Sequence, residues 1–395
     1  MTDVYNPMLE EEDDELAPPA NPLQEAEGNP WDKPARSAKE EEKLEERKRA
    51  GEAPSGKKKS RTTLTDKDFA CLAPLAVLRV MTAGQISMLL ATDEANGNKG
   101  GQMASPKTAL NRLISLRRIG AVEDVTLWNG LRVWALTDFG RGAAIASGLV
   151  GREGQVQKKG LKGLNYATIS HTIAVNQVAA QLLSPFGYIR GEGGLTLPKQ
   201  VTLDMLLTEY QVNNAWLTAN ARVAADNKAK NLDRKFKDWR TTTLKAMSES
   251  LQKGELEFRD VAATEPALWA LGNTPAPGDE VREHHLPDLI VNLERFRKGA
   301  SRGSIAIEVE LRAKSVSSYS KQLTLWAAEL QKVVGYPDPL LYNKLVYFTN
   351  DSEVRENLAR ADKLQKTGLL ESGRLLILPL TERDGKTPLN LSTRI

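Results

Sequence analysis

Apolar positions keep helical spacing through the first part of the chain's folded sequence and strand-helix alternation later. Thr65 to about Val80 reads as a first helix, which Pro74 is expected to bend or split. Thr82-Ala83-Gly84-Gln85 has the form of a capping box opening the apolar segment Ile86–Leu90. Ser105-Pro106 reads as the N-cap and first position of a third helix through Ile119. Its apolar face is Leu110, Leu113, Ile114 and Leu116; Lys107, Thr108, Asn111, Arg112, Ser115 and Arg118 fall on the other side. Gly120 ends that helix. Ala121–Thr126 and Leu131–Leu136 then flank Asn129-Gly130, a strong short-range hairpin signal, and Thr137 caps a further helix. Three helices and a hairpin predict a winged helix-turn-helix over residues 62–150. The third helix would enter the major groove of double-stranded DNA, with Arg132 on the wing. A small helical adaptor, its arginines only solvating it, has the same pattern.

A second unit begins near residue 160. Thr168–Leu183 has helical spacing, and Phe186–Arg190 and Leu195–Leu197 are candidate strands. Residues 202–257 are mostly helical and locally basic, anchored by Trp216 and Trp239. They read as a helical insertion, either touching nucleic acid or presenting a solvated face. From residue 285 strands at Leu289–Leu293, Ser304–Leu311, Lys344–Phe348 and Arg374–Leu378 alternate with helices at Val316–Val334 and Glu353–Lys366. That alternation implies crossovers and a mixed or mostly parallel sheet covered by helices. Tyr319, Leu323, Trp326, Leu330 and Val333 recur near helical spacing and read as core. The expected class is α+β.

Composition narrows the setting. At 395 residues, two or three folded units are the natural expectation. No apolar run approaches the ~20 residues of a bilayer helix, so no membrane partner is expected. A single cysteine, Cys71, excludes an intrachain disulfide framework and a cysteine zinc site, and points to the cytoplasm. Residues 1–32 hold ten acids and no Lys or Arg; subtracting that −10 from the net +3 leaves +13 on residues 33–395. Residues 1–61 as a whole read as a disordered tail, acidic first and then ending in the basic run Lys57-Lys58-Lys59-Ser60-Arg61. A basic body with an acidic tail suits a nucleic-acid binder.

The chemistry concentrates in three carboxylates. Asp288 sits in His285-Leu286-Pro287-Asp288-Leu289-Ile290-Val291, and Glu308 and Glu310 in Ile305-Ala306-Ile307-Glu308-Val309-Glu310-Leu311. Two residues apart on a strand, Glu308 and Glu310 project from one face. Burying three such acids needs a cation or basic side chains between them. If the Asp288 strand is a neighbour, the three could converge on one divalent metal, Mg²⁺ or Mn²⁺. Lys314, four residues past Glu310, could steady charge on a phosphate. A solvated sheet edge is the plainer alternative. His284 or His285 could stand beside Asp288, and no phosphate-binding Gly-rich loop is present.

These residues resemble the PD-(D/E)XK nuclease-like superfamily. Pro287-Asp288 matches the first half of its motif, and Glu308-Val309-Glu310 lies where the second would; position 310 is Glu rather than Lys, making Lys314 a migrated lysine. The whole layout resembles more narrowly the replication-relaxation family of actinobacterial plasmids and other mobile elements. That resemblance covers roughly residues 64–380. It rests on Leu136-Thr137-Asp138-Phe139-Gly140, His171 with Asn176, Pro287-Asp288 and the Glu308/Glu310 strand. It implies a winged helix followed, over residues 160–395, by a nuclease-like α/β domain with a mixed sheet. It further implies DNA binding in replication or mobilisation of a plasmid or other mobile element. Metal-dependent nicking by Asp288, Glu308, Glu310 and Lys314 is one alternative; another is a non-catalytic assembly protein recruiting replication or transfer proteins. A homodimer stays open.

Overall fold

A computed structural model describes residues 64–90, 103–150, most of 156–185, 195, 197, most of 201–256, 261, 264–272, 284–292, 304–330, 342–389 and 391. The expectations for residues 1–61, for a strand at Phe186–Arg190 and for Val333 lie outside them.

Helix α1 (Asp66–Leu78) starts where Asp68 turns its carboxylate back to accept from the Thr65 N–H at 2.8 Å. Pro74 does not split it. One backbone hydrogen bond is lost there, but Leu72, Leu75, Ala76 and Val77 are buried around it and hold the turn in place. The helix stops two residues short of the expected end, because Val80–Thr82 is strand β1. Helix α2 (Ala83–Leu89) opens with the expected capping box: Thr82 Oγ1 accepts from Gln85 N–H at 3.2 Å, and Gln85 Oε1 from Thr82 N–H at 3.0 Å. Helix α3 (Pro106–Arg118) is capped by Ser105, which accepts from Thr108 N–H at 3.1 Å. Ala109, Leu113 and Leu116 are its buried residues, with Leu110 and Ile114 packed partly against the same core.

The hairpin of β2 (Val122–Thr126) and β3 (Arg132–Leu136) turns at Asn129-Gly130, where Gly130 takes φ +74°. The hairpin is joined by β1 into an antiparallel sheet of order β1-β3-β2. Helix α4 (Asp138–Ala146) follows, capped by Thr137.

Helix α5 (Ile169–Leu183) is buried on most of its circumference, amides included. Asn176 Nδ2 donates to the carbonyls of Leu78 and Val80, Gln85 Nε2 to that of Ile173, and Ser184 Oγ to that of Met88. One apolar cluster therefore runs from Leu72, Ile86 and Trp134 through Val178 of α5 to Ile305 and Val346. The described residues lie within one compact unit, Arg61–Ile395.

Beyond α5 comes a five-stranded mixed sheet of β4 (Leu206–Thr208), β7 (Leu289–Val291), β8 (Ser304–Val309), β9 (Tyr342–Phe348) and β10 (Leu375–Leu378). Its order is β10-β9-β8-β7-β4, with β4, β7 and β8 antiparallel and β8, β9 and β10 parallel. The parallel steps are made by α8 (Val316–Leu330) and α9 (Ser352–Gln365). Between β4 and β7 lie α6 (Glu209–Lys230) and α7 (Phe236–Lys253), and the short pair β5 (Leu271–Gly272) and β6 (His284–His285). The helical insertion thus contains a sheet strand, β4, that periodicity did not show, since three residues are too short to alternate. Arg240 of α7, expected on a basic surface, is instead buried: it pairs with Glu329 at 2.7 Å and donates to the Leu268 carbonyl. The fold is mixed α+β with helices over a mixed sheet. Among the described residues no helix is long and apolar enough to cross a membrane.

Candidate functional site

Strand β8 sends Ile305, Ile307 and Val309 into one apolar cluster and Ala306 into the other. Glu308 and Glu310 keep the parity of Ala306, so both leave the same face of the chain. On β7, Leu289 and Val291 go with Ile305, and Ile290 with Ala306. The antiparallel register pairs Leu289 with Ile307, and one step further along it Asp288 meets Glu308. The condition set for the three acids, that the Asp288 strand neighbours the Glu308/Glu310 strand, is met by this pairing.

Each acid has a basic partner. Asp288 Oδ1 meets His171 Nε2 of α5 at 2.9 Å, and Asp288 Oδ2 accepts from Val309 N–H at 2.7 Å. Glu308 meets His285 Nε2 at 2.7 Å, so His285 stands beside Glu308 rather than beside Asp288. Glu310 is bonded to the Lys314 ammonium. Lys314 is held in turn: its N–H donates to Tyr319 Oη at 3.3 Å, and its carbonyl accepts from Asn357 at 3.0 Å. His171, Glu209, His285, Asp288, Glu308, Glu310 and Lys314 all line a cavity of about 280 Å³. The sequence reading missed Glu209, the first residue of α6. Only the β4–β7 pairing brings it here, through the Glu209 N–H donating to the Asp288 carbonyl at 3.2 Å.

Burial sets the electrostatics. It pushes the Glu308 carboxyl above its ordinary value, and Asp288 adds to the rise against the pull of His285. Burial likewise raises Glu310, against the opposing pull of Lys314. For His285 burial acts downward, yet Glu308 outweighs it and the imidazole pKa rises; Asp288 does the same for His171. Glu308, Glu310, His171 and His285 thus each hold a proton more tightly than in water.

The donor chemistry suits a hard divalent cation, since three carboxylates on two adjacent strands are oxygen ligands of the right kind. Among the described residues no three of the His, Cys, Asp and Glu side chains form a ligating group. His171, His285 and Lys314 take up carboxylate lone pairs that a cation would use.

On α3, Lys107, Thr108, Asn111, Ser115 and Arg118 are exposed along one side. Arg112 is turned partly inward, because the buried Asp68 takes its guanidinium at 2.7 Å. Arg132 on the hairpin shares Asp124 with Arg117, at 2.6 and 2.7 Å, and lies over the Trp134 ring at 4.6 Å. The His284 side chain lies outside the described residues. No family model, curated protein or solved structure matches the chain.

Proposed function

We propose that the chain is a DNA-binding protein that hydrolyses a phosphodiester bond at the carboxylate cavity, in the replication or mobilisation of a plasmid or other mobile element. The observation that carries the chemistry is the meeting of Asp288, Glu308, Glu310 and Lys314 in one small cavity. The resemblance to the replication-relaxation family supplies the mobile-element setting. For DNA binding, the support is α1, α2 and α3 with the three-stranded sheet, read as a winged helix with the Lys107–Arg118 stripe toward the major groove.

Asp288, Glu308 and Glu310 would hold Mg²⁺ or Mn²⁺ only with their oxygens released from His171, His285 and Lys314. When bound, such an ion would supply Lewis-acid polarisation of the phosphate and make a bound water more acidic than bulk water. Lys314, pinned through its backbone, offsets charge gathering on the phosphate oxygens. His171, its side chain 40 % exposed and lining the cavity, has its pKa raised against burial by Asp288 and in its protonated form would supply a proton to the departing oxygen once released from Asp288.

Incubation of supercoiled plasmid with the full chain and Mg²⁺ or Mn²⁺ tests the reading. Nicking is expected, and Asp288→Asn or Glu308→Gln should slow it by about a hundredfold or more. Nicking that survives both substitutions places the chemistry elsewhere. A second reading, binding without cleavage, is favoured by the basic partner each acid already has. Tight plasmid binding with no nicking at the element's own origin selects it.

A further inference from the structure

Trp128 stands in the hairpin turn, outside the paired strands, and is 57 % exposed; Tyr166, just ahead of α5, is 50 % exposed. Their ring centroids are 6.0 Å apart with the planes tilted by 56°. Two large aromatic faces left side by side in water mark a surface that something covers. The pair lines a groove of about 1180 Å³ together with Arg312, Lys314, His171 and Glu310. The last three also line the carboxylate cavity, so groove and cavity adjoin. Arg312 is exposed and has no ion-pair partner among the described residues.

Aromatic faces beside cations, leading to acids suited to phosphodiester chemistry, are what an unpaired nucleic-acid strand requires. Its bases stack on the rings while guanidinium and ammonium groups meet its phosphates. A duplex keeps its base faces stacked inside and has no use for the rings. We infer that the groove binds single-stranded DNA, a base stacking on Trp128 and Tyr166 and the backbone passing Arg312 into the cavity. The inference rests on the phosphodiester reading of that cavity and names its substrate as an unpaired strand.

Fluorescence anisotropy with the full chain tests it, using a labelled oligothymidine of about 15 nucleotides and a duplex of mixed sequence. Both should bind. Replacing Trp128 and Tyr166 together by Ala should weaken the oligothymidine by roughly tenfold or more and the duplex by much less, whereas Trp128→Phe should retain most of the oligothymidine affinity. Arg312→Ala should lower the salt slope for the oligothymidine by roughly 0.7. Oligothymidine affinity unaffected by loss of both rings, or wild-type binding of duplex alone, overturns the groove assignment and leaves the cavity reading intact. Failure of the wild type to bind either form removes the DNA reading itself.

Discussion

Arg112 reaches from α3 to Asp68 at 2.7 Å, and Asp68 is held in addition by the N–H and hydroxyl of Thr65. Burial alone would raise the Asp68 carboxyl, but these bonds together with Arg112 bring it below its ordinary value. A carboxyl lowered in the folded state stabilises the fold above its unfolded pKa, and that stability is lost as pH falls through the folded one. Arg112→Ala should therefore cost about 1–3 kcal/mol at neutral pH, with the loss shrinking below about pH 4. Urea denaturation across pH measures both. Lys107 and Arg118 are exposed on the same helix. Replacing either by Ala should leave stability in place and reduce the salt slope for duplex DNA by about one unit. If Arg112→Ala removes salt slope without costing stability, the ion pair with Asp68 does not persist in solution. Periodicity shows which residues of α3 are polar. It does not show which of them a buried carboxylate elsewhere in the chain will claim.

At the scale of elements, the segment Leu136–Gly140 has a packing reason. Thr137 Oγ1 donates to the Gly120 carbonyl and accepts from Gly140 N–H at 3.1 Å, joining the end of α3 to the start of α4. A Cβ on Gly140 would stand 1.8 Å from the Ala121 carbonyl oxygen, whereas one on Gly142 of the same helix would meet nothing within 4 Å. Gly140→Ala should destabilise by about 3 kcal/mol, because backbone must move. Gly142→Ala should stabilise by about 0.5–1 kcal/mol, since Ala lowers the unfolded chain's entropy. Paired urea midpoints read out the contrast; equal effects would mean that α4 does not pack against Ala121. The caps Thr82, Ser105 and Thr137 and the Asn129-Gly130 turn were legible because each is a local signal. Strands β1 and β4 were not, since at three residues each they exist only through pairing with β3 and β7.

Across the whole molecule, the three acids and Lys314 could be singled out in sequence because charges in apolar runs stand out. Their pairings could not: His285, named in sequence beside Asp288, meets Glu308, and His171 and Glu209 arrive from separate elements only through strand register and the placement of α5. That helix also decides whether the N-terminal helices and the mixed sheet fold separately. Sequence patterning suggested a boundary near residue 160, yet one apolar cluster passes through α5 from Leu72 to Val346, and Asn176 ties it to Leu78 and Val80. Units sharing a core lose stability together, because opening either exposes apolar surface of the other. Urea unfolding should therefore give coincident transitions by far-ultraviolet circular dichroism and by tryptophan fluorescence. Asn176→Ala strands two buried carbonyls and should shift that shared transition by about 2 kcal/mol, without splitting it. An early transition in which the N-terminal helices melt alone, in either the wild type or the variant, would show that α5 packs on one unit and merely touches the other. DNA held on α3 would then have no fixed bearing on the cavity.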